Sequence, residues 1–319
     1  MKKRIVILSL CLAGALTAPA LALTTTTAEM DNAAPIAEDL ELKTYKGVAI
    51  SSRFAAVDPE GDLVTFQVVD SPARGQVAMD EKDPAAFTYT PYEGKKGKDS
   101  FTYVAIDAKG NTSKPATVKV VIQKQTTAVS YSDLAGDPAH YAALRLAEAG
   151  VYTGRQVGSL YCFDPDSTFT REEFLTMAMT AAGEEPLSGV SLTGFYDDGD
   201  ISAWAKGYVS AALVVGTVEG SRNGEGQTVF DPASPITQAE AAVIVDRLLA
   251  GGDVAGTASA FSAETAPAWA YQSVVNMEAV SVLSSGADLY EPLTRAQSAE
   301  MLCAMLDVLD SRDSGNWLW

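Results

Sequence analysis

The chain has 319 residues, 41 acidic and 23 basic, a net charge of −18 and one histidine. A chain so acidic repels nucleic acid and anionic membranes over most of its surface, and the lack of any Cys/His cluster excludes a structural zinc centre. The length is enough for two or more domains with cores of their own.

Residues 1–22 predict an export signal. Lys2, Lys3 and Arg4 precede an apolar run from Ile5 to about Ala15, Pro19 breaks the run, and Ala20-Leu21-Ala22 gives a small-x-small cleavage pattern. The run is shorter than the roughly 20 residues of a spanning helix. No later stretch is long and apolar enough either, so a secreted chain without membrane insertion is expected. Cleavage removes three basic residues and no acids, so the mature chain is more acidic still. It also removes Cys11, leaving Cys162 and Cys303 as free or buried thiols. Residues 23–32 are Thr-rich and predict a flexible leader.

Residues 33–124 are strand-like. Apolar residues alternate at Val64, Phe66 and Val68, at Phe101, Tyr103 and Ala105, and at Val118, Val120 and Ile122. Turn signals such as Asp58-Pro59-Glu60-Gly61-Asp62 and Lys109-Gly110-Asn111 separate these runs. About seven short strands in such a span fit an all-β immunoglobulin-like sandwich. The stretches 56–62, Phe87-Thr88-Tyr89-Thr90-Pro91 and Asp99-Ser100-Phe101-Thr102-Tyr103 resemble the cadherin-like, immunoglobulin-like modules of bacterial surface proteins. That resemblance implies a spacer or adhesive module. Asp58, Glu60 and Asp62 have two readings: oxygen ligands for a calcium ion, or an acidic turn with no ion.

A polar linker, 125–130, leads into a helical region with internal repeats. Three segments, 131–187, 194–250 and 260–311, share one plan, followed by a tail at 312–319. Each opens on an aromatic, Tyr131, Phe195 or Phe261, with Asp133 and Asp197 two residues on in the first two. An aromatic-Ala pair then starts a helix: Tyr141-Ala142, Trp204-Ala205 or Trp269-Ala270. A turn and a proline, Pro165, Pro232 or Pro292, lead to a second helix opening at Thr170-Arg171-Glu172-Glu173, Thr237-Gln238-Ala239-Glu240 or Thr294-Arg295-Ala296-Gln297. Thr followed three residues later by Glu or Gln is a capping box, which stabilises a helix start by about 1 kcal/mol. Apolar residues then recur at helical spacing, as in Phe174, Met177, Ala178 and Ala181.

These motifs, with Gly150-Val151-Tyr152-Thr153-Gly154 and Phe163-Asp164-Pro165, resemble S-layer homology repeats over the whole helical region. The resemblance implies an all-α pseudo-threefold bundle. It also implies grooves between repeats that bind secondary cell-wall polysaccharide, often carrying a pyruvate ketal, or a related peptidoglycan-linked polymer. The protein would then sit at the bacterial cell wall, S-layer or cell surface. For such an acidic sugar, Arg171 and Arg295 offer guanidinium forks at helix starts, Trp204, Trp269 and Tyr141 offer ring faces, and Asp133 and Asp197 offer acceptors. Gln238 stands where the second repeat's arginine belongs, Ala263 where the third repeat's aspartate belongs, and Leu283 in the place of a glycine, so fewer than three full sites are expected.

Plainer readings stand beside these: Trp204 and Trp269 as core aromatics, the arginines as unliganded surface residues, the aspartates as turn caps. His140 reads as a surface residue at a helix start. No Gly-x-Ser-x-Gly elbow or phosphate loop is present, and a non-catalytic protein without a cofactor is expected. The alternatives to wall anchoring are a self-associating surface-array component and an adhesin with an external ligand.

Overall fold

The computed structural model describes residues 32–252 and 259–313. The export signal, the leader up to residue 31 and the tail from residue 314 lie outside the described residues. No described helix is long and apolar enough to cross a membrane.

Nine strands form the first region: β1 Ile36–Ala37, β2 Leu40–Tyr45, β3 Ile50–Arg53, β4 Ala56–Val57, β5 Thr65–Asp70, β6 Gly75–Met79, β7 Ala86–Pro91, β8 Gly97–Ile106 and β9 Ala116–Gln123. One sheet has the order β2-β9-β8-β5, with β2 and β9 parallel and the other pairs antiparallel; a second has the order β3-β7-β6. Strand alternation puts Phe87, Tyr89, Phe101, Tyr103, Val118, Val120 and Ile122 between the sheets, all nearly inaccessible. Phe54 stacks on Phe87 and Tyr103, with ring centroids 4.3 and 4.2 Å away. Tyr103 Oη donates to the Ala55 carbonyl at 2.8 Å, so its buried hydroxyl is satisfied.

Among the described residues six α-helices, two hairpins and a short 3-10 turn at Asp198–Asp200 follow: α1 His140–Glu148, β10 Arg155–Val157, β11 Leu160–Cys162, α2 Arg171–Ala181, α3 Lys206–Val215, β12 Ser221–Arg222, β13 Thr228–Val229, α4 Gln238–Leu249, α5 Tyr271–Ala279 and α6 Arg295–Asp313. The second helix of each repeat, α2, α4 or α6, packs against the other two. The first helices lie outside, each on the second helix of the preceding repeat: α3 on α2, α5 on α4, and α1 on α6. The first and last helices therefore close the ring. Phe174, Leu175, Ala242, Val245, Leu302 and Met305 fill its axis without solvent access. Each large apolar side chain there contributes on the order of 1.5–3 kcal/mol.

The capping boxes form as the spacing predicts. Thr170, Thr237 and Thr294 accept from the amides of Glu173, Glu240 and Gln297, and those side chains reach back to the threonine amides at 2.9–3.0 Å. The next amides bind the neighbouring repeat in a cycle. Arg171 and Glu172 donate to Ser234 and Pro232 carbonyls, Gln238 and Ala239 to Glu291 and Leu289, and Arg295 and Ala296 to Ser167 and Pro165. This cycle corrects one alignment. Leu289 holds the position of Pro165 and Pro232, while Pro292 pairs with Thr237 as Pro235 pairs with Thr170.

Two further positions shift in the same way. The buried Ala139, Ala205 and Ala270 are the N-caps of α1, α3 and α5. Pro138-Ala139, not Tyr141-Ala142, is thus the counterpart of Trp204-Ala205 and Trp269-Ala270. Gly150 and Gly216 take positive φ (73° and 81°) after the first helices, and Ser281 takes that place in the third repeat (φ 59°). Ser285, not Leu283, then matches Gly154 and Gly220. A Cβ on either glycine would lie 2.7 Å from a carbonyl of the following hairpin strand, Cys162 or Val229. The third repeat has no such hairpin among the described residues, so a serine fits there.

Candidate functional site

The threefold frame generates three related faces, each with parts from all three repeats. The face centred on α4 holds a cavity of about 390 Å³ lined by Arg171, Thr217, Val218, Glu219, Gly220, Ser221, Glu240, Val243, Ile244, Arg247 and Trp269. Arg171 comes from the first repeat, Trp269 from the third and the rest from the second. By the same relation, Arg295 and Trp204 hold the corresponding positions on the face centred on α2. The face on α6 has Gln238 and Pro138 in those places. Its larger cavity, about 1140 Å³, is lined by Gln238, Glu278, Asp288, Glu291, Glu300 and other residues of the third repeat, with Arg53 from the sandwich.

Trp204 and Trp269 are 55% and 63% exposed, which rules out the core reading for both. Their alanine neighbours are the buried members of each pair. Tyr141 is 9% exposed and packs against Tyr45 of the sandwich, ring centroids 5.6 Å apart, so it presents no free face to a sugar.

The arginines are placed differently from the sequence expectation. Arg171 is only 14% exposed, ion-paired to Glu240 at 2.5 Å, and donates from Nε to the Phe230 carbonyl. Its guanidinium lies 5.5 Å from the Phe230 ring centre. Arg295 donates to the Phe163 carbonyl at 3.3 Å, faces Asp164 at 3.6 Å and lies 4.9 Å from the Phe169 ring centre. Both side chains bridge repeats. The helix starts are also occupied, because threonine and neighbouring-loop oxygens take the first-turn amides that an anion would use.

Asp133 and Asp197 face inward as loop clamps. Asp133 accepts from the Phe163 and Asp164 amides, and Asp197 from those of Phe230 and Asp231, at 2.7–3.2 Å. Burial raises the Asp133 pKa, but the two amides and the Cys162 thiol outweigh it and hold the carboxyl below its usual range. Asp164 and Asp133 in turn push the thiol up to about 11. A protonated thiol donating to both carboxylates accounts for the closeness of Asp133, Cys162 and Asp164, a trio within metal-ligand reach. His140 starts α1 as expected, but it is half-buried against Tyr131, and burial lowers its pKa.

Arg247 escaped the sequence reading. It sits in the last turn of α4, where a cation reads simply as a partner of the helix dipole. Its Nη1 reaches the Gly216 and Thr217 carbonyls at 3.3 Å, and its Nη2 pairs with Glu219, which is 73% exposed. An ion pair with so open a partner is weak and exchangeable. Arg247 is therefore the cavity's most available cation, and the exposed ring of Trp269 stands on the same cavity. Only the fold of the whole ring brings the two together.

In the sandwich, Asp58 Oδ1 accepts from the Glu60 and Asp62 amides, closing its own turn, while Glu60 accepts from the Ala33 amide. Asp58, Glu60 and Asp62 do not converge on one point. Asp58 Oδ2 and Asn32 Oδ1 are buried with no hydrogen-bond partner among the described residues.

Residues 32–121 match the family described as Bacterial Ig domain, in agreement with the sandwich. The chain is similar to the exoglucanase XynX of Acetivibrio thermocellus, 40% identical over 91 residues, 27% of this chain and 8% of that protein. It is also similar to the surface-layer 125 kDa protein of Lysinibacillus sphaericus, 30% identical over 129 residues, 39% of this chain and 10% of that protein. The chain spans a tenth or less of the length of these relatives. Among solved structures, the SrpA adhesin of Streptococcus sanguinis aligns with 32% of this chain and 66% of its own at 18% identity, with a TM-score of 0.24.

Proposed function

We propose that this is a non-catalytic bacterial surface protein that grips an acidic cell-wall polysaccharide through S-layer-homology-type repeats. The working groove is the α4 face, and the sandwich projects outward as spacer or adhesive module. The observation that carries this reading is the cavity that sets Arg247 and Arg171 beside the exposed Trp269. A sugar ring stacks on the indole, and its carboxylate takes the guanidinium of Arg247 in place of Glu219. Arg171 sets the electrostatics of the cavity wall from behind. The similarity to a surface-layer protein supports the surface location.

The non-catalytic reading is supported by the chain's only histidine, packed on Tyr131, and by two thiols pushed up to about 11 and 12. The test is co-sedimentation of the mature protein with purified cell-wall sacculi, before and after removal of the wall polysaccharide. Binding that persists on stripped sacculi contradicts the proposal. Ile36, Val57 and Leu63 are 57–89% exposed, and this apolar patch on the sandwich favours a second reading, self-association in a surface array. Light scattering of the mature protein would reveal it.

A further inference from the structure

The face on α6 differs from the other two in what it lacks and in what lies beside it. It has Gln238 where they carry an arginine and Pro138 where they carry an exposed tryptophan. Next to it, along the seam between α1 and α6, lies the β-sandwich. Tyr45 and Val48, each 4% exposed, belong to the hydrophobic core of the helical region and not to that of the sandwich. Ile50 packs against both cores. Tyr45 meets Tyr141, Arg145 holds Asp310 at 2.8 Å, and Lys43 approaches the same carboxylate at 3.9 Å. Arg53, from β3, lines the cavity of this face.

The connection between the regions is tied down as well. Glu148, at the end of α1, accepts from the amides and hydroxyls of both Thr126 and Thr127, at 2.5–3.0 Å. Val129 is buried, and Gln125 donates to its carbonyl. A flexible tether leaves its backbone to water; this one spends its polar groups on a helix end.

We infer that the β-sandwich is a fixed module, docked through Tyr45, Val48 and Ile50 onto the α1–α6 seam. There it borders the α6 face and contributes Arg53 to the rim of that face's cavity. The sandwich thus points in one set direction from the helical ring. The aromatic contact, the Arg145–Asp310–Lys43 cluster and the linker clamp all act on this single orientation. The docking itself does not depend on the carbohydrate reading, so its test uses no polymer.

The experiment measures the distance between spin labels placed by Lys98→Cys on the sandwich and Glu225→Cys on the second repeat, in a Cys162→Ser background of the full mature chain. The docked module gives one narrow distance distribution. Tyr45→Asp, which lies outside the sandwich's own core, broadens it and speeds proteolysis within 124–130 by about tenfold, since cleavage tracks the open population. The pair Thr126→Val and Thr127→Val does the same more weakly without touching either core, which guards against a misfolded Tyr45 variant. A broad distribution in the parent protein overturns the inference, and so does one that stays narrow in every variant.

Discussion

The faces on α4 and α6 share one frame of helices, without a counterpart of the β12–β13 hairpin on the α6 face among the described residues, and differ in nearly every side chain that could touch a ligand. Both begin at a capped threonine, and both have first-turn amides bound to the next repeat's loop. In register, Arg171 becomes Gln238, Glu240 becomes Gln297, Val243 becomes Glu300, Arg247 becomes Ala304 and Trp269 becomes Pro138. The difference teaches that the Thr-x-x-Glu/Gln motif builds the ring, while chemistry is added by residues that vary freely around it. A repeat keeps its fold without the arginine and the tryptophan that line the α4 cavity.

Breaking the groove without breaking the frame gives the largest expected effect. Arg247→Ala with Trp269→Ala should weaken sacculus binding about a hundredfold, the loss of one stacked ring and one charged hydrogen bond. Both side chains are open to solvent, so the urea midpoint should stay within error of the parent. Arg171→Ala should act the other way round. It strands Glu240 and the Phe230 carbonyl and should lower unfolding free energy by about 2 kcal/mol in urea titrations, with binding in the folded fraction reduced less than in the groove variant.

The cap is a smaller perturbation. Thr237→Ala should cost about 1 kcal/mol, and Thr294→Ala a similar amount, because the box is the same on both faces. Unequal costs would show that the frame is not shared. At the junction the sign of the pH effect is fixed. Burial raises the Glu148 pKa, but the hydroxyls and amides of Thr126 and Thr127 outweigh it and hold the carboxyl at about 2, against 4.5 for a free side chain. Its contribution is complete above pH 4.5 and is lost as the pH falls towards 2, so proteolysis of the linker by an acid protease should accelerate across that window. Glu148→Gln should remove this pH dependence. Salt should have the mildest effect, a gradual weakening of sacculus binding as the exposed surroundings of Arg247 are screened.

The order of elements was largely legible, because alternation and capping are local signals. The sandwich core at Phe101, Tyr103, Val118 and Val120 and all three capping boxes stand where their spacing puts them. The site was legible only in part. Arg171, Arg295, Asp133 and Asp197 have the right chemistry for a sugar, yet each is turned to a partner in a neighbouring loop or repeat. Which way a side chain faces depends on ring closure between distant segments, and local spacing holds no record of that. The alanine after Tyr141 makes it look like the tryptophans' counterpart, whereas the buried N-cap Ala139 sets the true register. Arg247 carries no motif and emerges only when α4, Gly216 and Trp269 are assembled.

The most direct measurement is an NMR titration of the tryptophan indole N–H signals with solubilised acidic wall polysaccharide. The account predicts that the Trp269 signal shifts with saturation, and that Arg247→Ala abolishes the shift at the same polymer concentration. A Trp269 signal that stays unmoved while the polymer binds elsewhere on the chain would contradict it.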